Sequence, residues 1–227
     1  MKKRVFAIIL AALTAVIAIG CSDDNGENTG SEISDGIEIP EYITIQDEQF
    51  STELTELNLS DRQLNNNDIE PLKYMVNLTE LILGENEISD ISALSGLTNL
   101  TTLVLQTNKI SDISPLAGLV NLTVLMLPGN EISDISALSG LTNLDSLSLA
   151  DNSITDLRPL AELKNLSMLY LLLNPFIDVS PLAGLTDLKY LSLLYSQVSD
   201  EKIAELREAL PYTQVHDDPN IEVYVDH

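Results

Sequence analysis

Tryptophan is missing from this 227-residue chain, and phenylalanine appears three times and tyrosine seven times. Yet 44% of the residues are hydrophobic, so any core has to be built from aliphatic side chains, chiefly leucine and isoleucine. Branched side chains of one size suit layers that repeat. The single cysteine, Cys21, excludes an intramolecular disulfide, and stability must come from packing instead. Basic residues are scarce as well. Eleven lysines and arginines stand against 35 carboxylates, for a formal charge of −24. Three of the eleven, Lys2, Lys3 and Arg4, fall in the first 20 residues, which hold no acid. Phosphate backbones and anionic headgroups repel such a polyanion, which argues against nucleic acid as a partner and for a cationic or acid-tolerant one.

Histidine is nearly absent too. The two, His216 and His227, lie close to the end of the chain, where they join Asp217 and Asp218 in the only histidine-plus-acid cluster. Without a second pair of spaced ligands, that cluster reads as a solvated tail rather than a metal site. No glycine-rich phosphate loop, Gly-x-Ser-x-Gly turn or zinc spacing is present. The expectation is a protein with no catalytic constellation, no metal and no cofactor.

The chain opens on the basic Met1-Lys2-Lys3-Arg4, followed by the apolar run Val5 to Ile19, broken only by Thr14. That run is too short to span a bilayer and reads as a signal-peptide core. Its end, Ala18-Ile19-Gly20-Cys21, resembles a bacterial lipobox, with Ala18 where that pattern usually has leucine. The resemblance implies a diacylglycerol thioether on Cys21 and a third acyl chain. At about 0.8 kcal/mol per buried methylene, two or three chains anchor a protein stably. Ser22 to Ser31 contains no apolar residue and reads as an acidic leash. Ser22-Asp23-Asp24 also resembles a surface-export signal of some Gram-negative lipoproteins. The expected location is membrane-anchored and extracytoplasmic, at the outer membrane or cell surface.

The rest is governed by one period. Asn86, Asn108, Asn130, Asn152 and Asn174 are each 22 residues apart, as are Leu81, Leu103, Leu125, Leu147, Leu169 and Leu191. Asp90, Asp112, Asp134, Asp156, Asp178 and Asp200 keep the same step. Alternation of Leu103 and Leu105 with other residues marks a strand with one buried face. The asparagine amide that follows has two donors and an acceptor for backbone groups of its own turn and the next coil. Each aspartate then suits the start of a short helical turn, with Pro115 early in its example. A unit such as Leu100 to Asn121, with Leu-x-Leu-x-x-Asn followed by Ile-x-Asp-Ile and Pro-Leu, resembles the leucine-rich repeat of the internalin family. The resemblance covers residues 54 to about 210. It implies a mostly β, α/β-type leucine-rich-repeat solenoid: a right-handed curved stack with a parallel sheet on its concave face, short 3₁₀ turns on its convex face, and caps at both ends. The expected organisation is a signal peptide at 1–20, a lipid-anchored linker at 21–36, an N-terminal cap at 37–53, repeats at 54–199, and a helix and cap at 200–227. The cap at the start is expected to be a strand or hairpin around Tyr42, Ile43 and Ile45. The first repeat departs from the pattern, with Arg62 at the ladder position and a 24-residue step from Leu57 to Leu81. Asp200 is expected to open a true helix ending at Pro211, and Ile221-Val223-Val225 a last edge strand.

Strand residues pointing away from the core form the concave face, which the fold leaves wet. Met168, Tyr170, Leu172, Leu173, Tyr190, Leu194 and Tyr195 crowd two adjacent strands there, and Ile82, Val104, Val124 and Met126 form a milder group. Large exposed apolar patches mark interaction sites, so these eleven residues are the candidate protein-binding surface. Two structural readings compete: the C-terminal cap lies over those strands, or β-propensity alone placed the residues there. The Asn-Leu-Ser and Asn-Leu-Thr triplets at Asn58, Asn77, Asn99, Asn121 and Asn165 match glycosylation sequons, which the repeat generates by itself. The expected protein is a monomeric, anchored recognition or adhesion protein. A periplasmic scaffolding lipoprotein and a carbohydrate-binding module are the other readings.

Overall fold

A computed structural model of the chain describes residues 39–217. The signal-peptide, Cys21 and linker expectations lie outside the described residues, as does the Ile221-Val223-Val225 alternation. Strands β1 (Tyr42–Ile45) and β2 (Glu48–Ser51) pair as an antiparallel hairpin, whose Ile43 and Ile45 are buried in the core. Eight parallel strands follow in spatial order: β3 (Glu56–Asn58), β4 (Glu80–Ile82), β5 (Thr102–Val104), β6 (Val124–Met126), β7 (Ser146–Ser148), β8 (Met168–Tyr170), β9 (Tyr190–Ser192) and β10 (Gln214–His216). Pairing is in phase from coil to coil, Leu81 beside Leu103 beside Leu125 beside Leu147. Every leucine of that column from Leu81 to Leu191 is fully buried. The fold is the leucine-rich-repeat solenoid, with its sheet on the concave face and 3₁₀ turns such as Ser114–Leu116 and Ser180–Gly184 on the convex face.

The asparagine ladder carries the connection between coils. The Asn108 Nδ2 donates to the Leu83 carbonyl of the preceding coil at 3.0 Å and to its own Leu105 carbonyl at 3.1 Å. Its Oδ1 accepts from the Ile88 N–H of the preceding coil at 3.0 Å. Asn130, Asn152 and Asn174 repeat the arrangement on Leu105, Leu127 and Leu149. One side chain thus satisfies groups of two coils at the point where the backbone leaves the sheet, as its donor and acceptor inventory allows.

A second ladder went unread in the sequence. Asn99, Asn121, Asn143 and Asn165 each donate from Nδ2 to the preceding coil, to the carbonyls of Val76, Thr98, Val120 and Thr142 at 2.8–2.9 Å. Two places on, the hydroxyls of Thr79, Thr101 and Thr123 donate to the Thr55, Thr79 and Thr101 carbonyls at 3.1 Å. The Asn-Leu-Thr triplet is therefore a structural unit, with two polar links to the neighbouring coil flanking one core leucine. That explains the recurrent sequons.

Each convex turn is opened by its aspartate. The Oδ1 atoms of Asp90, Asp112 and Asp134 accept the N–H two residues on at 2.8 Å. That N–H is the main influence holding the Asp112 and Asp178 carboxyls below the usual range; at Asp156 the Arg158 side chain leads and its N–H adds. Asp200 breaks the pattern. Helix α2 (Asp200–Ala209) is capped by Ser199, whose Oγ accepts the Lys202 N–H at 3.4 Å, so Asp200 is the first helical residue rather than the cap. Earlier, the two surplus residues of the first coil are taken up in helix α1 (Asn66–Ile69), opened by a capping box of Asn65 and Asp68. Among the described residues the sheet ends on a strand that the sequence reading did not anticipate. It is Gln214–His216, and its register on β9 follows from a 24-residue step spanning α2.

The two ladders differ in burial, and so in worth. Asn130 is 9% exposed; Asn130→Ala orphans two carbonyls and an N–H and is expected to cost about 2–4 kcal/mol in urea unfolding. Asn143 is exposed and makes a single such bond, so Asn143→Ala is expected to cost under about 1 kcal/mol. Equal losses from both would contradict this ranking.

Candidate protein-interaction face

The in-phase pairing puts like positions of successive coils side by side, at strand spacings of about 4.8 Å. Outward residues of β8 and β9 are Met168, Tyr170 and Tyr190, which are partly exposed, and Ser192, which is buried. The Tyr170 and Tyr190 rings lie 5.1 Å apart at a 42° tilt, within the range of favourable aromatic pairing. Burial raises both phenol pKa values, and for Tyr190 the neighbouring Tyr170 adds to it. At the far edge the His216 ring sits 6.5 Å from Tyr190. The terminal strand thus flanks the aromatic patch. His216, read from sequence as tail, belongs beside the face, and Asp217 is held by Arg207 at 2.7 Å. Asp218 and His227 lie outside the described residues. The strand stands 24 residues beyond its partner rather than 22, so it falls outside the period of the repeats.

Not every residue expected to be wet is so. Val104 is 2% exposed, Met126 7% and Leu172 3%, so these three are covered rather than displayed. Outward side chains on a sheet stand about 4.8 Å apart, so each is flanked on both sides, and Val104 lies in register between the larger Ile82 and Met126. Ile82, Val124, Leu173 and Leu194 remain partly exposed, and Tyr195 is 51% exposed. The face accessible to a partner is therefore narrower than eleven residues, and its apolar surface concentrates at the C-terminal coils.

Leu173 and Tyr195 carry an independent signal. The place they occupy has positive φ in every coil: 54° at Asp61, 59° at Glu85, 52° at Thr107, 68° at Gly129, 50° at Asp151, 59° at Leu173 and 60° at Tyr195. Glycine, asparagine and aspartate tolerate that region, and bulky residues do so at a cost of about 1–2 kcal/mol. Two adjacent coils nonetheless put large apolar side chains there, partly exposed and next to the tyrosine pair. Folding alone does not ask for them.

The N-terminal end of the same face is acidic. Glu56 pairs in register with Glu80 on β3 and β4, and Asp61 and Glu85 are exposed beside them. Burial, reinforced by the Glu56 charge, raises the Glu80 pKa. No lysine or arginine occupies an outward strand position or a positive-φ position of this face. Among the described residues no group of histidine, cysteine and acid is placed to hold a metal, and no helix is long and apolar enough to cross a membrane.

Comparison with known proteins accords with this geometry. The family described as leucine-rich repeats in two copies matches residues 76–118, 120–162 and 142–183. An internalin C2 structure from Listeria monocytogenes is 34% identical at a TM-score of 0.59, with 74% of this chain and 85% of that one covered. This chain belongs to the internalin-type leucine-rich-repeat proteins. Another Listeria monocytogenes internalin structure is 38% identical at a TM-score of 0.69, covering 74% of this chain and 50% of the other. The chain thus spans about half of that relative's length. A Leptospira interrogans leucine-rich-repeat protein is 27% identical at a TM-score of 0.61, over 64% of this chain and 38% of the other. No curated protein matches the chain.

In this internalin-type solenoid, two features of the face lower stability, and each has a test. Tyr195→Gly relieves the positive-φ strain and is expected to leave the melting temperature unchanged or raised; a clear fall would show that Tyr195 is there for packing. Glu80 titrates above its ordinary range when folded, so its ionised form opposes folding, and stability is regained as pH falls through the raised pKa. Glu80→Gln is therefore expected to melt higher than the parent at pH 7, with the gap closing below about pH 4. A lower melting point at pH 7 would contradict the repulsion.

Proposed function

We propose that this chain is an extracytoplasmic lipoprotein, acylated at Cys21, that binds a protein partner through the C-terminal half of its concave face. The repeat stack is a scaffold that presents an extended surface, and solenoids of this kind act through such surfaces. The observation that carries the reading is the clustering of Tyr170, Tyr190, Met168, Leu194 and Tyr195 on neighbouring coils, partly exposed. Two such coils also keep bulky residues where the backbone is strained. Tyrosine combines flat apolar area with a hydroxyl, and methionine adapts its shape, a pairing suited to a protein surface. The anchor rests on the lipobox-like Ala18-Ile19-Gly20-Cys21, and placement at the outer membrane or cell surface on Ser22-Asp23-Asp24.

The anchor is tested by labelling cells that produce the full chain with a radioactive or clickable fatty acid. The parent is expected to take up label and stay with membranes, and Cys21→Ala to lose label and become extractable; labelling of the Cys21 variant would refute acylation at this residue. Added protease is expected to digest the protein on intact cells, whereas protection would favour the periplasmic scaffold. For the face, Tyr170→Ala with Tyr190→Ala is expected to lower stability by at most about 2 kcal/mol while abolishing capture of the partner. Undiminished capture would remove the concave face from the proposal.

A further inference from the structure

The concave face is polarised along the solenoid. Its first two coils present Glu56, Asp61, Glu80 and Glu85, and coils five strands on present the tyrosine pair. Glu80 on β4 and Tyr170 on β8 are four strand spacings apart, about 19 Å, which about six residues of extended chain span. Within that span the coil of β7 is low. Ser146, Ser148 and Ala150 of the β7 coil are small and covered, at 3%, 0% and 2% exposure. Ser148 lies in register between Met126 and Tyr170, on the outward side of the sheet, and its Oγ has no hydrogen-bond partner. An unpartnered buried hydroxyl costs about 1–3 kcal/mol, so its presence on this face calls for an account.

We infer that the occupant of this face is an extended polypeptide segment of a partner protein, cationic at one end and apolar about six residues away, lying along the solenoid axis with its basic residues over Glu56 and Glu80 and its apolar residues over Tyr170 and Tyr190. This rests on the concave face being the binding surface. Charge complementarity selects the orientation: the face offers carboxylates at one end and no basic side chain to balance them. The in-register Glu56 and Glu80 repel one another in the free protein, and a shared arginine or lysine removes that repulsion. An extended segment has free backbone N–H and C=O groups, whereas a helix has already used its own. Ser148 pairs in register with Tyr170, so its hydroxyl lies under the apolar end of such a segment, and a small shift of the side chains over it brings it within reach of a backbone group there. The orphan hydroxyl, the paired carboxylates and the strained apolar residues are three features that lower the free protein's stability. A single ligand of this chemistry relieves or uses all three.

The test uses full-length protein in detergent micelles and fluorescent synthetic peptides read by anisotropy. One peptide has two arginines and two phenylalanines separated by five serines and prolines; its comparator has glutamates in place of the arginines. The cationic peptide is expected to bind about tenfold more tightly at low salt, with the gap narrowing as salt screens the charges. Glu56→Gln with Glu80→Gln is expected to bind both peptides alike. Ser148→Ala is expected to keep or raise the melting temperature and weaken the cationic peptide several-fold. Equal binding of the two peptides by the parent, no binding of either, or a charge preference that survives the double glutamine variant overturns the inference. If the preference fails while Tyr170→Ala with Tyr190→Ala abolishes peptide binding, the concave-face reading stands without the polarity. If neither double variant alters binding, that reading falls as well.

Discussion

The structure depends on a single primary amide repeated every 22 residues. Each ladder asparagine ties the carbonyl that ends its own strand to a carbonyl and an N–H of the coil before it. The chain has to leave the sheet at that point, and leaving would strand polar backbone groups beside a core of leucine. Burying them unpaired costs about 1–3 kcal/mol each. Once one amide settles those groups, the next coil is obliged to stack in phase, because only an in-phase neighbour presents the right groups at the right height. The leucine columns, the parallel sheet and the second ladder of Asn99, Asn121, Asn143 and Asn165 all follow from that registration.

A stack so uniform leaves little to distinguish one coil from another except what it shows to solvent. The core positions are aliphatic except for Phe176, and the convex turns open on the same aspartate. Variation is confined to the outward strand positions and the positive-φ rim, where Asp61 and Glu85 at one end give way to Leu173 and Tyr195 at the other. Departures from the residue that folding would prefer are the places where a protein of this design records its contacts. Tyr195 and Leu173 at positive φ, and Glu56 beside Glu80, are of that kind. Each is less stable than an available alternative, and they share one face.

The fold could be read from residues almost in full, because a column such as Leu81 to Leu191 or Asn86 to Asn174 repeats at fixed spacing and its physical reason is local. Breaks in the period were harder. The Gln214–His216 strand sits 24 residues beyond its partner on β9, since helix α2 intervenes, and so His216 was assigned to a tail. Asn121 and its equivalents were visible only as sequons, because the carbonyl each one meets belongs to a neighbouring coil. The face was legible in direction but not in height. Alternation says that Val104, Met126 and Leu172 point outward; it does not say that packing on the face reduces their exposure to 2–7%. Tyr170 and Tyr190 needed no such correction, being tall themselves, though their 5.1 Å pairing required coordinates. Backbone strain at Leu173 left no mark in the sequence beyond its place in the column.

The central claim is that the ladder amides are sealed between coils and hold the backbone in register. Amide hydrogen exchange by NMR tests it most directly, at the Ile88, Ile110, Ile132 and Ile154 N–H groups that donate to ladder Oδ1 atoms. These four are expected to exchange as slowly as the strand amides of Leu103 and Leu125, through opening of the stack as a whole. Exchange at the rate of exposed convex residues such as Ser111 would mean that the asparagines face water and that something else sets the register.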